Sequence, residues 1–254
     1  MQIWHAIILS IVEGVTEFLP VSSTGHLIAT SALLGLPATE FQKSFEIFIQ
    51  LGSIGAAIVL YAKRILSNRT LFLKLCTAFV PTGIAGLLLY KLIKHYLLGN
   101  LHVVAWSLLL GGIAIMAFES WYKRAKPRGT AAVTYPQAAA IGTFQILSMI
   151  PGVSRSAATI IGGMFSGLTR EAAIEFSFML AIPTMLAASG LDLVKTPLHF
   201  SGNEWMLLAV GFVGAFITAL LVIRAFLQLI RTNIFWWFGA YRVVFALVIF
   251  YFIK

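Results

Sequence analysis

Two short polar stretches in an oily chain hold most of the groups that could act on a substrate. The first is Glu13-Gly14-Val15-Thr16-Glu17-Phe18-Leu19-Pro20-Val21-Ser22-Ser23-Thr24-Gly25-His26. The second is Pro151-Gly152-Val153-Ser154-Arg155-Ser156-Ala157-Ala158-Thr159. In each, a proline ends an apolar run, small hydroxyl residues follow, and a second apolar run begins. Ionisable groups flanked by lipid-compatible sequence are costly and mark functional sites. Two carboxylates, a histidine, an arginine and several hydroxyls suit work on an anionic phosphate.

Glu13 and Glu17 are four residues apart and share a helix face. In a low-dielectric site, two such carboxylates do not both ionise easily without a cation between them. A bound Mg²⁺ or Ca²⁺ would resolve this, since both take oxygen ligands. Otherwise one carboxylate stays protonated or serves as a base, or the pair faces bulk water at a frayed terminus. Ser23 and His26 are three apart at the start of the next apolar run. That spacing makes His26 a candidate base for a Ser23 nucleophile; the bland alternative is a helix cap beside a structural histidine. Ser22 and Thr24 add hydroxyl donors.

In the second stretch, Pro151-Gly152 permits a tight turn, and a helix from about Ser154 would aim free backbone N–H groups at the break. That is a ready anion site. Arg155 adds a guanidinium matched to phosphate oxygens, and Ser154, Ser156 and Thr159 add hydroxyls. Arg155 could instead pair with Glu13 or Glu17; an empty site can hold that pair and a filled one exchange it for phosphate.

The elements that must position these groups belong to a membrane protein. Of 254 residues, 59% are hydrophobic and 11% charged, and mean hydropathy is +0.93; soluble domains carry roughly 25% charged residues. Six runs are long enough to span a bilayer: about 45–62, 72–90, 103–120, 172–191, 205–226 and 235–253. Residues 1–18 with 24–36, and 137–150 with 155–168, are too short to cross singly. They read as two re-entrant helical hairpins, a geometry tolerated only where it is buried or lines a cavity. The expected fold is all-α, one membrane domain over residues 1–254.

The two hairpins align with Pro20 over Pro151 and Ser23 over Ser154, an offset of 131. Three spans follow each, so the second half enters from the opposite side. This predicts an inverted-topology repeat of about 1–120 and 136–254. The net charge of +9 reflects loop placement and does not call for nucleic acid. Lys63, Arg64, Arg69 and Lys74 fall in one connection, Lys123, Arg124, Lys126 and Arg128 in another, and Arg224 and Arg231 in a third. All three lie on one side, which positive-inside assigns to the cytoplasm. Trp121, Trp205, Trp236 and Trp237 sit near span ends as interfacial anchors. The amino terminus does not read as a cleavable signal, lacking a basic n-region.

Other polar residues rank lower. His5, His95, His102 and His199 fall near segment ends. Glu46 and Glu175 hold equivalent repeat positions, and Gln50 follows Glu46 by one turn. Arg242, at the start of the last span, is either buried and paired or reaches the interface. The single cysteine, Cys76, excludes an intrachain disulfide.

Taken together, the motifs resemble the bacterial undecaprenyl-pyrophosphate phosphatases, also called bacitracin-resistance proteins. The resemblance rests on Glu13 and Glu17, on Phe18 through His26 and on Pro151 through Thr159. It extends to Phe45-Glu46 through Gly52, Glu175 through Phe178, and Tyr241-Arg242. It implies hydrolysis of undecaprenyl pyrophosphate to the monophosphate, recycling the carrier for cell-wall polymers, and bacitracin resistance. It further implies a divalent-cation requirement, a bacterial cytoplasmic membrane location with the site facing outward, membrane lipids as neighbours, and homodimers. On this reading Ser23 is the nucleophile, His26 acid/base, Glu17 a base or metal ligand with Glu13, and Arg155 the phosphate clamp. Ser22, Thr24, Gly152, Ser154, Ser156 and Thr159 bind the substrate. Direct attack by water stays open. Histidine-nucleophile and aspartyl-phosphate phosphatases need aspartates, and the chain has one, Asp192. No Walker loop is present. The rival reading is a transporter of the same lipid, since inverted repeats with broken helices are a transporter feature.

Overall fold

The computed structural model describes residues 1–37, 39–97, 100–125, 129–195, 200–229 and 235–252. Lys126, Arg128, His199 and Arg231 lie outside the described residues. Ten α-helices account for most of the rest, with no strand among the described residues beyond an isolated bridge between Thr130 and Leu168. Two short helices, α1 (Ile3–Thr16) and α2 (Ser23–Leu33), precede three long ones: α3 (Glu40–Ser67), α4 (Arg69–Leu92) and α5 (Leu101–Ala125). A π-helical turn, Ile93–Leu97, extends α4. The order then recurs: α6 (Tyr135–Gln145) and α7 (Arg155–Phe165) precede α8 (Arg170–Lys195), α9 (Gly202–Leu229) and α10 (Phe235–Phe252).

The six long helices are each apolar and long enough to cross a membrane. They contain the six runs read from the sequence, apart from the final residue of the last. The short helices begin where capping chemistry places them. Thr134 accepts the Gln137 amide and Gln137 returns a bond to the Thr134 amide. Ser22 and Ser154 cap α2 and α7 by accepting the Gly25 and Ala157 amides. In sequence, Ser23 lines up with Ser154; in the structure Ser22 and Ser154 share the cap position, with φ of 72° and 77°. The local register is therefore 132, because equivalent caps, not equivalent prolines, set where each helix starts. Helix starts at Ile3 and Tyr135, and at Ser23 and Arg155, keep that same spacing.

Close approach of helices carries the packing. α10 lies against α5, α3 and α1 lie against α9, and α6 against α4. A Cβ at Gly142 would sit 2.0 Å from the Ala78 carbonyl oxygen, so only glycine permits the α6–α4 contact. Such small-residue seams suit association in lipid, where hydrophobic driving force between helices is weak. An ion pair buried in the core ties α8 to α5: Arg170 donates to both Glu119 oxygens at 2.8 and 2.9 Å, between the Tyr122 and Phe235 rings. Arg64 and Glu175 pair at 2.7 Å nearer the surface, so Glu175 links α8 to α3. Glu46 accepts from Gln42 within α3.

Candidate active site

Each polar stretch is the break between two short helices, and the breaks touch. α1 ends at Thr16, leaving Glu17 through Val21 to turn before α2. Phe18 in this turn is fully buried edge-on against Phe178, 5.2 Å between centroids. The second break runs from a 3₁₀ turn, Ile146–Met149, through Pro151 and Gly152 to α7. Gly152 has φ of +96°, and a Cβ there would lie 2.7 Å from the Val104 carbonyl oxygen; glycine is required on both counts. Ser22 and Ser154 are the only non-glycine residues with positive φ among the described residues. Such backbone costs on the order of 1–3 kcal/mol and gathers at functional sites.

Side chains stitch the breaks together. Arg155 donates to Glu17 Oε1 at 3.1 Å and to the Ser177 carbonyl at 3.0 Å. Both members of this ion pair are nearly excluded from solvent. The guanidinium also stands 5.6 Å from the Phe18 ring centroid. Ser156 donates to the Leu19 carbonyl at 2.8 Å, tying one break to the other.

A cavity of about 710 Å³ opens on this junction. Glu17, Ser22, Ser23, Thr24, Ser154 and Arg155 are on its wall, with Gly152. Within it, the Ser23 hydroxyl donates to Glu17 Oε2 at 2.6 Å. One carboxylate thus holds Arg155 through one oxygen and Ser23 through the other. The first turn of α7 supplies amides that have no carbonyl partner within the helix, beside the arginine. A serine hydroxyl bonded to a carboxylate, an arginine and a helix N-terminus therefore share one chamber.

Two expectations are placed differently. His26 was expected on Ser23. Its Nδ1 instead donates to the Ser22 carbonyl at 2.7 Å, and its Nε2 meets the Tyr241 hydroxyl at 2.6 Å. The ring stacks on Phe245, 4.2 Å between centroids, and is not on the cavity wall. A carbonyl can only accept, which fixes a proton on Nδ1. Ser156 and Thr159 were expected on the substrate, but both are fully buried. Thr159 bonds Ser177 Oγ at 2.6 Å, so its hydroxyl, like that of Ser156, is turned into the protein. Glu13, four residues before Glu17, is fully buried as a low-dielectric site requires, is not on the cavity wall, and neither of its carboxylate oxygens has a hydrogen-bond partner.

The residue that sequence reasoning undervalued is Arg242. Fully buried, it donates to the carbonyls of Pro20 (3.3 Å), Gly152 (2.8 Å), Val153 (2.8 Å) and Ser107 (3.1 Å). One guanidinium pins both breaks to α5. Glycine at position 111 makes the room: a Cβ there would stand 2.3 Å from the Arg242 nitrogen. Two signals in the sequence pointed to it, a charge within the last apolar run and its place in the Tyr241-Arg242 part of the resemblance. Replacing Arg242 by methionine keeps the bulk and leaves buried carbonyls unpaired. The expected cost is about 3 kcal/mol of stability, with phosphate-directed activity down roughly a hundredfold through misplaced loops. Thermal unfolding in detergent beside turnover measures both; an unchanged variant would show that α10 does not hold the loops.

Comparison with known proteins returns one consistent result. The sequence profile described as "Bacitracin resistance protein BacA" matches residues 6–248. A curated relative from Aquifex aeolicus, named "Undecaprenyl-diphosphatase", is 49% identical, covering 98% of this chain and 97% of its own. Relatives of the same name from Wolinella succinogenes and Thermus thermophilus are 48% and 46% identical. They cover 100% and 96% of this chain, and 99% and 95% of their own.

Proposed function

Because the chain belongs to the bacitracin resistance protein BacA family, we propose that it hydrolyses undecaprenyl pyrophosphate to undecaprenyl phosphate and inorganic phosphate. This returns the lipid carrier to cell-wall synthesis and withdraws the pyrophosphate form from bacitracin. The observation that carries the reading is the shared carboxylate: Glu17 touches both the Ser23 hydroxyl and the Arg155 guanidinium on one cavity wall.

The chemistry follows from that contact. Arg155 exchanges Glu17 for the oxygens of the terminal phosphoryl group, and the α7 amides add to the clamp. Glu17 Oε2 takes the Ser23 proton as Ser23 Oγ forms a bond to the terminal phosphorus. The bond from that phosphorus to the bridging oxygen breaks, and undecaprenyl phosphate leaves. The leaving phosphate takes the proton from Glu17, and the ionised carboxylate then accepts a proton from water as the water oxygen bonds to phosphorus; that proton passes to Ser23 Oγ as the phosphoserine bond breaks and inorganic phosphate leaves. His26, anchored by the Ser22 carbonyl and Tyr241, positions the start of α2 and the two serines there.

A divalent cation, Mg²⁺ or Ca²⁺, fits the two glutamates. Glu13 presents two buried, unpartnered oxygens, and Mg²⁺ typically takes one or two carboxylates plus substrate phosphates. When bound, the cation neutralises charge on the pyrophosphate. Chelation should abolish turnover, and Glu13→Gln should raise the cation concentration for half-maximal rate roughly tenfold or more. Full turnover in excess chelator would remove the cation from the reading.

For placement, α1–α2 and α6–α7 are proposed as re-entrant hairpins in halves of about 1–120 and 136–254, entering from opposite faces. The 14 residues of α1 and 11 of α6 reach about 21 and 17 Å at 1.5 Å per residue, short of a ~30 Å hydrocarbon core. The cavity also reaches Ile93 and Asp192, near the ends of α4 and α8 remote from the basic α3–α4 connection. Positive-inside then supports a site open to the outer side of a bacterial cytoplasmic membrane. The direct test is phosphate release from undecaprenyl pyrophosphate by purified protein in detergent with Mg²⁺. No release from well-folded protein, across cations, would overturn the reading.

A further inference from the structure

The catalytic groups occupy only one end of the cavity. The rest is an apolar chamber between two long helices. Gly83, Gly86 and Leu87 of α4 and Met185, Ala188 and Leu191 of α8 belong to its wall. α4 is the least enclosed of the six candidate spans, and its Val80, Ile84, Leu87 and Leu88 are exposed. The chamber therefore borders lipid along α4 while remaining continuous with Arg155 and Ser23.

The same two helices carry the internal prolines Pro81 and Pro183, and proline opens the helical ladder locally. Each proline is followed by a threonine, and both threonines meet one side chain. Gln145 Nε2 donates to Thr82 Oγ1 at 2.9 Å and to Thr184 Oγ1 at 3.1 Å. Gln145 is fully buried at the end of α6, immediately before the turn into the Pro151 break. The helices are thus tied at one level. Beyond the tie, toward Ile93 and Leu191, the wall is made mostly of small and apolar residues, with Asp192 at its far end.

Resting on the hydrolase reading, we infer that the isoprenoid chain of the substrate leaves the site sideways through the seam between α4 and α8. Gly83 and Gly86 set the bore of that seam. The pyrophosphate sits at the loop junction, the first isoprene units lie in the chamber, and the remainder stays in the bilayer. A cavity of this size suits a drug-sized ligand and cannot hold a whole undecaprenyl chain, so a lateral opening is required for the tail. The absence of side chains at positions 83 and 86 leaves apolar space beside α4 without exposing a polar group.

The seam can be narrowed without disturbing the fold. A Cβ at Gly86 would meet only the terminal methyl of Met149, at 3.4 Å, and one at Gly83 only the Phe79 ring, at 3.4 Å. Gly86→Leu should raise KM for undecaprenyl pyrophosphate roughly tenfold, as for a few misplaced methylenes in an apolar pocket, with kcat little changed. A parallel measurement uses Gly86→Cys in a Cys76→Ala background and a bulky maleimide. Undecaprenyl phosphate should slow labelling of the introduced thiol at least tenfold, whereas inorganic pyrophosphate, which fills only the polar end, should not. Turnover by the parent protein with equal labelling in the presence and absence of lipid would overturn the seam. Absence of turnover would overturn the hydrolase reading itself, and the labelling arm would still show whether the lipid occupies the chamber.

Discussion

Arg155→Ala, in protein that inserts and unfolds like the parent, should lose roughly a thousandfold in kcat/KM for the lipid pyrophosphate. Single charge-stabilising donors are worth about 10²–10³, and arginines on a transferring phosphoryl group up to about 10⁵. The lower part of that range applies because, in the proposed mechanism, the α7 amides and a cation share the load. Arg155→Lys should recover little of the loss. Lysine keeps the charge but offers no planar fork, and the site holds Arg155 through two nitrogens at once, one on Glu17 and one on the Ser177 carbonyl. The structure adds a second consequence. With Arg155 gone, Glu17 loses its buried cation beside unpartnered Glu13. Arg155→Ala should therefore reach its residual rate at lower Mg²⁺ than the parent, because the two carboxylates no longer share a guanidinium, while adding Glu13→Gln should raise the concentration needed again. Turnover against Mg²⁺ concentration for the three variants checks this; full turnover in folded Arg155→Ala would remove the clamp.

What could be read along the chain was whatever depends on neighbours in sequence. Long apolar runs gave six helices, since a bilayer sets their length. Proline followed by serine marked the helix starts at Ser23 and Arg155, because caps are local chemistry. Directions of side chains around one turn were not readable. Ser154, Arg155 and Ser156 are adjacent, yet the first two are on the cavity wall and the third bonds to the Leu19 carbonyl. Nor were contacts across the fold. His26 is three residues from Ser23, and spacing alone pairs them; Tyr241, 215 positions away, takes its Nε2 instead. Arg242 reaches Pro20 across 222 positions and Gly152 across 90. No local pattern contains either contact. The charge inside an apolar run signalled only that some partner must exist.

That difference is the ground for proposing Glu17 as the base. If His26 served Ser23, His26→Ala would match Ser23→Ala in severity. The geometry gives the proton to Glu17, so Ser23→Ala and Glu17→Gln should each lower kcat by roughly 10³–10⁴, near the span for removing a nucleophile or its base. Residues acting as one unit are strongly non-additive. The double variant should therefore be little worse than either single one, because both remove the same proton transfer. Glu17→Gln keeps the side chain's shape and its amide oxygen can still accept from Ser23, but the amide NH2 then faces the Arg155 guanidinium, so the variant removes the ion pair together with the basicity. His26→Ala should cost far less, roughly tenfold through a looser α2 start, and Tyr241→Phe should resemble it, since each breaks the same 2.6 Å contact. Single-turnover release of labelled phosphate from the five variants separates these outcomes, and trapping label on Ser23 identifies the covalent step. Additive losses in the double variant, or a His26→Ala defect equal to that of Ser23→Ala, would return the base to the histidine.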